Sequence, residues 1–245
     1  MKIYGRFSKA LKRLSIFGGL LLAPALSWGQ NDGVGYINVR FVEVNSGANA
    51  EFVAAIRDLA EQLEASGQPA FHVYQRIRGD NGYTIITIDD AFADLPEADI
   101  SPALFGRVVR TIASTSVRTL AVYPQLSIDS GGGLAPSGEY MRVRVRTTSP
   151  SNQQAYFEWH EEEFTPALRE GGLTDLRTGR IILGDNTNTF VRFTYSDEFP
   201  ENGTVAENIG QRELQRLLAR ESQLLVSSAD YMYRFREDMS FTAGP

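Results

Sequence analysis

Three arginines alternate along one short stretch of the chain, Arg142, Arg144 and Arg146, and Arg40 sits in a matching stretch about a hundred residues earlier. On an extended strand, alternate residues share a face and stand about 6.6 Å apart. Like charges at that spacing repel by roughly 2–3 kcal/mol at an effective dielectric near 20. A row of this kind wants anions between its members. The chemistry it suggests is a small polar or anionic ligand, a carboxylate or phosphate held in guanidinium forks. The plainer alternatives are cross-strand pairing with carboxylates such as Asp175 or Asp230, or a solvated outer face. Arg76 belongs to the same set, and Arg177 and Arg192 are further candidates for it.

Two histidines are present, and they do not correspond in position. His72 alternates with Tyr74 and Arg76. Because histidine titrates near neutrality, His72 and Tyr74, with Arg40 beside them, form the candidate catalytic acid–base pair. The competing reading is a hydrogen-bonded structural histidine. His160 lies in Glu158-Trp159-His160-Glu161-Glu162-Glu163. With Glu162 or Glu163 it makes two metal ligands at most, which falls short of a site. Asp89, Asp90 and Asp94 lack the spacing of a calcium loop. No metal centre is expected.

Missing residue types narrow the chemistry further. The chain has no cysteine, and its three lysines all fall within the first 12 residues. Residues 1–29 have the layout of a secretory signal peptide: Lys2, Arg6, Lys9, Lys12 and Arg13 with no acid, then an apolar run from Leu14 to Leu22, then small residues. That run is too short for a membrane span of roughly 20 residues. A periplasmic or secreted protein is expected, with no membrane attachment after cleavage. The remainder carries 19 arginines against 30 acidic residues and not one lysine. It therefore offers no side-chain Schiff base, thiolate or iron–sulfur ligation. Its strong negative charge disfavours nucleic acid and anionic membranes as partners.

The elements that must position these residues repeat. Gly35-Tyr36-Ile37-Asn38-Val39-Arg40-Phe41 and Glu139-Tyr140-Met141-Arg142-Val143-Arg144-Val145 open two equivalent series at one offset, which also relates Gly67 to Gly171. The first unit covers 34–128. Alternation predicts a strand from Tyr36 to Val44. The spacing of Phe52, Ile56, Leu59 and Leu63 predicts a helix over 48–65 ending at a left-handed Gly67. Two strands follow around the turn Gly79-Asp80-Asn81-Gly82. A helix capped by Ser101-Pro102 then runs to about Ser114, and a last strand covers 118–128. A Gly/Ser/Pro linker occupies 129–138. The second unit covers 139–236: a first helix near 152–169 kinked at Pro166, a second helix near 206–220, and a flexible tail at 237–245.

Each unit reads as β-α-β-β-α-β, a four-stranded antiparallel sheet with both helices on one face, the ferredoxin-like α+β arrangement. On alternation, Val39, Phe41, Val143 and Val145 are expected to face the helices. Asn38, Arg40, Arg142, Arg144 and Arg146 would then line the opposite face, where two sheets could pack together. The element order, Gly67/Gly171 and the hairpin turns resemble the dimeric α+β-barrel superfamily in its fused, two-unit form. No catalytic motif of that superfamily stands in the chain.

Three readings remain open. The first is an exported binding module holding an anionic ligand on the sheet face. The second, implied by the resemblance, is a cofactor-independent monooxygenase using His72 and Tyr74. The third follows from chlorite dismutases, two-unit barrels that bind haem in one half. Haem would need His72 or His160 as axial ligand. The expectation is no cofactor, with haem as the lesser alternative. Exposed sheet edges make a homodimer a further expectation.

Overall fold

The computed structural model describes residues 34–68, 70–78, 81–89, 100–129, 138–198 and 202–242. The expected signal peptide, the core of the linker at 130–137, Gly79-Asp80 of the first hairpin turn, and Asp90 and Asp94 lie outside these residues.

The first unit contains β1 (Gly35–Val44), α1 (Asn49–Ala65), β2 (Ala70–Arg76), β3 (Gly82–Asp89), α2 (Pro102–Thr111) and β4 (Ile112–Val122). The second contains β5 (Tyr140–Thr148), α3 (Gln153–Trp159), a π-helical turn (His160–Phe164), α4 (Thr165–Glu170), β6 (Leu176–Leu183), β7 (Thr189–Ser196), α5 (Asn202–Ile209), α6 (Gln211–Leu224) and β8 (Leu225–Phe235). Within each unit the strands run 4-1-3-2 and all pairings are antiparallel. The units join twice, β4 to β6 and β8 to β2. These two seams close the eight strands into a barrel with the helices outside.

Local signals explain most elements. In α1, Phe52, Ile56 and Leu59 are buried at helical spacing, and Gly67 ends the segment at φ +82°. The Ser101 hydroxyl accepts from the Leu104 amide, 3.3 Å away, and caps α2. That helix ends at Thr111, earlier than expected. Ile112, Thr115 and Val117 are β-branched and pair directly with β1, so the strand starts there. Pro124 falls in a 3₁₀ turn after the strand. In the second unit, the kink expected at Pro166 is a π turn just before it. Proline lacks an amide proton and its ring crowds the carbonyl four residues back; the wider turn absorbs both effects. The same turn fits an extra residue into the helix, so the left-handed glycine is Gly172 (φ +83°), with Gly171 at φ −69° capping the helix. The second helix is broken in two at Gly210 (φ +84°).

The C-terminal segment is ordered through residue 242, against the expected flexible tail. Glu237–Met239 form a 3₁₀ turn, and β9 (Phe241–Thr242) pairs with Ala70 and Phe71. Met239 is fully buried in the helix-side core of the first unit, and that burial fixes the tail.

Three apolar clusters organise the interior. Ile37, Val39, Tyr74, Leu120, Val143, Phe193 and Tyr233 fill the barrel. Phe52, Ile56, Phe71, Val73 and Val108 lie between the first sheet and its helices. Tyr156, Trp159, Phe164 and Phe190 do the same in the second unit. The first-strand faces are therefore the reverse of expectation. Val39, Phe41, Val143 and Val145 belong to the barrel interior, and Arg40, Arg142, Arg144 and Arg146 face the helices. Alternation distinguishes two faces but does not say which points inward when both are covered. The barrel interior takes the apolar set, because four further guanidinium groups there would lose water while Asp175 is already paired with Arg177.

Candidate functional site

In the first unit, a cavity of about 130 Å³ lies between the sheet and the helix pair. Its walls come from Phe52, Ile56 and Leu59 of α1, Val108 of α2, and Ile85 and Val117 of the sheet. Arg40 enters it from β1, between Asn38 and Val42. The cross-strand neighbours of Arg40 are Ile85 and Val117, both apolar. Burial pulls its guanidinium down to about pKa 10. The site is thus a buried guanidinium in a small, mostly apolar chamber that Asn38, Gln68 and Thr87 also line.

His72 and Tyr74 are on the other side of the sheet. His72 aligns through Ile86 with Val39 on the barrel face, so Arg40 does not join it. Its Nε2 is 2.7 Å from the Thr242 hydroxyl, and Phe235 meets the ring edge-on. Burial lowers the His72 pKa to about 4. Burial, and then Asp175, raises the Tyr74 hydroxyl above its ordinary range. Both shifts move away from neutrality, opposite to the tuning that proton transfer uses. The two residues do border an open, largely polar cleft of about 960 Å³ over the β2–β8 seam, with Arg234 and Arg236 on its rim. Arg76 is engaged elsewhere: it bonds Glu43 at 2.7 Å and stacks over Tyr231.

The arginine row of the second unit meets carboxylates. Asp230 on β8 binds Arg142 at 2.8 Å and Arg146 at 2.6 Å, with Arg144 at 3.7 Å. Glu221 on α6 binds Arg192 at 2.6 Å and Arg146 at 3.3 Å. Burial alone would raise the Asp230 pKa; hydrogen bonds from Arg146 and Arg142 prevail and hold it near 2. Arg177, on the barrel face, pairs with Asp175 and Asp129. Glu221 went unnoticed in the sequence because it sits in an ordinary polar helix, Glu221-Ser222-Gln223. Its burial depends on α6 lying across the sheet.

His160 is fully buried on the π turn, above the same sheet. Its Nδ1 is 2.8 Å from the Thr165 hydroxyl, and its Nε2 has no hydrogen-bond partner among the described residues. Burial and then Arg192 press its pKa well below the usual value, so the ring is neutral. Among the described residues, no group of three or more His, Cys, Asp or Glu side chains is placed to hold a metal ion. None of their helices is long and apolar enough to cross a membrane.

No protein-family model matches the sequence, and no curated protein sequence matches it either. Solved structures share the fold. A candidate monooxygenase from Fusobacterium nucleatum superimposes with a TM-score of 0.65 at 13% identity, covering 86% of this chain and 96% of the other. One from Lactobacillus acidophilus gives 0.56 at 14%, covering 85% and 96%. A chlorite dismutase variant from Candidatus Nitrospira defluvii gives 0.52 at 14%, covering 85% and 93%. The chain has the α+β-barrel fold of these proteins, as two fused ferredoxin-like units.

These matches correct the expectation of no cofactor with haem as the lesser alternative. With chlorite dismutases among the proteins of this fold, haem is the cofactor to consider first. The side chains meet that implication halfway. His160 suits an axial ligand: neutral, buried, one nitrogen steadied by Thr165 and the other open. The space beside it is taken, with the rings of Tyr156, Trp159 and Phe164 all centred 5.0–5.9 Å away. The helix–sheet cavity is in the other unit, where Ile56 holds the position equivalent to His160. Ligand and space lie in different halves, so as packed the residues do not seat a haem.

Proposed function

We propose that the protein is an oxidoreductase of the α+β-barrel type, and that its substrate is a small apolar molecule with one acidic group, bound in the first-unit cavity. The observation that carries this reading is Arg40, a buried cation lining a largely apolar chamber of about 130 Å³. The monooxygenase names attached to the matching folds supply the reaction class.

The chamber sets the size. A cavity of roughly 150 Å³ takes one benzene, so a single ring or a short branched chain fits here. Arg40 sets the charge. A guanidinium in apolar surroundings attracts a carboxylate, phenolate or enolate strongly, because little water screens the pair. It favours the deprotonated substrate, lowering its pKa by one unit per roughly 1.4 kcal/mol of preferential interaction. An anion is more easily oxidised than its conjugate acid, and Phe52, Ile56 and Ile85 keep water from the reacting carbon. An exported binding module would use the same chamber and the same arginine.

Calorimetry with benzoate and its neutral isostere benzamide tests the site, and oxygen uptake with single-ring acids and phenols tests the reaction. Benzoate is expected to bind at least tenfold more tightly than benzamide, with the preference lost in Arg40→Met. Equal affinities, or no binding of either, refute the anion chamber. Binding without oxygen uptake across the panel refutes the oxidoreductase and leaves the binding module.

A further inference from the structure

We infer that the helix-covered face of the second sheet holds a small monovalent anion, of halide or nitrate size, against Arg192. The argument starts from strand register. Arg144 and Arg192 are direct cross-strand partners on one face, and like charges placed directly opposite destabilise a sheet. Arg142 and Arg146 flank Arg144 on the same strand. These four cations share two carboxylates, Glu221 and Asp230. His160 above them is neutral and Tyr156 donates to Glu221, so neither alters the surplus. The strain falls on Arg144, whose pKa drops to about 9 through burial and then through Arg192 and Arg142.

A second observation is independent of the charge count. Arg192 is 1% exposed, and only its Nη2 meets a carboxylate. Among the described residues, its Nε and Nη1 have no hydrogen-bond partner. The buried hydroxyls of Thr178, its cross-strand neighbour on β6, and of Thr194, two residues along β7, have none either. A buried donor left without a partner forfeits its hydration and gains nothing in return. Two guanidinium nitrogens and two hydroxyls on adjacent positions make a donor set with no acceptor among the described residues. A monovalent anion supplies that acceptor and cancels part of the surplus; a divalent one would cost more to bury. The exposure gradient offers an entry, from Arg142 (22%) through Arg144 (17%) to Arg192.

The test uses the whole chain. Crystals grown in bromide are expected to show an anomalous peak within hydrogen-bond distance of the Arg192 guanidinium. In solution, replacing gluconate by chloride at fixed ionic strength should raise the melting temperature saturably, by about 3–6 °C at tenfold saturation. Thr194→Val keeps the Arg192–Glu221 pair and should weaken the chloride effect several-fold; Arg192→Gln, if it folds, should abolish it. A water molecule at the bromide position, or a melting temperature that ignores chloride in the parent chain, overturns the inference. An unchanged chloride effect in Thr194→Val does so too. None of these readings depends on Arg40 or the first-unit chamber.

Discussion

Arg40 and His72 lie on opposite faces of one sheet. His72, Ile86 and Val39 form a single row across three strands, and Arg40 is the next residue after Val39, turned toward the helices. A strand step therefore separates the two residues most suited to act together. It splits the molecule into an arginine-lined cavity under the helices and a histidine at the barrel mouth, and each can be tested alone.

His72 should shape the acid side of the stability profile. Its folded pKa of about 4 is below the unfolded value of 6.5, so the unfolded chain binds a proton first as pH falls. Stability is then flat above pH 6.5, declines from 6.5 to 4, and loses roughly 3 kcal/mol at most through this group. His160 adds to the decline in the same direction. Asp230 and Asp238, held near 2, act only below about pH 3.8. Chemical denaturation of His72→Gln between pH 4 and 7 should show a shallower slope. An unaltered slope would mean that His72 titrates normally.

Glu221 anchors the arginines of the second unit. It contacts Arg192, Arg146 and the Tyr156 hydroxyl while almost fully buried. Glu221→Gln keeps the shape and removes the charge, leaving buried cations uncompensated. The expected cost is about 3–5 kcal/mol by urea denaturation. A cost below about 1 kcal/mol would show that the arginines find their counter-charge elsewhere.

The faces of the strands were the part of the fold hardest to read in the sequence. Tyr36 and Tyr140, the helix spacing of Phe52, Ile56 and Leu59, and the Ser101-Pro102 cap carried the element order and the two-unit architecture. Val39 and Arg40 alternated as expected, yet both of their faces are buried, and hydrophobic pattern alone does not tell a barrel interior from a helix interface. The π turn was hidden because Pro166 announces a disturbance without its form. Met239 was hidden because one apolar residue in a polar tail carries no period. The pairing of Asp230 with the arginine row was legible as an alternative; Glu221, on a helix remote in sequence, was not.

Phe164 is the aromatic ring packed nearest His160. Its ring lies 5.0 Å from the imidazole and under the Arg192 guanidinium at 4.5 Å. Phe164→Ala should raise affinity for added haemin, read as a histidine-ligated Soret band, and His160→Ala in that background should remove the band. Equal or weaker binding in Phe164→Ala would show that the aromatic wall does not gate this histidine.

The C-terminal strap should contribute to global stability. Ending the chain at Arg236 removes buried Met239, the stacking of Phe241 on Phe71 and the Thr242 bond to His72. The expected loss is about 3–5 kcal/mol, comparable to deleting one large core side chain. Guanidinium melts of the truncated and full chains decide it, and a loss under 1 kcal/mol would make the strap ornamental.

The seams that close the ring are brief. One runs from Thr119 to Val122 against β6, where Gly179 leaves so little room that a Cβ would sit 3.0 Å from Leu120; the other spans Tyr74 to Arg76 against β8. Neither ladder depends on which polypeptide supplies its two sides. Tethering sets the partner, by making the local concentration of the sister half far exceed that of any neighbouring molecule. A crowded compartment or a severed tether would let halves trade places between copies and build reciprocal barrels from the same edges.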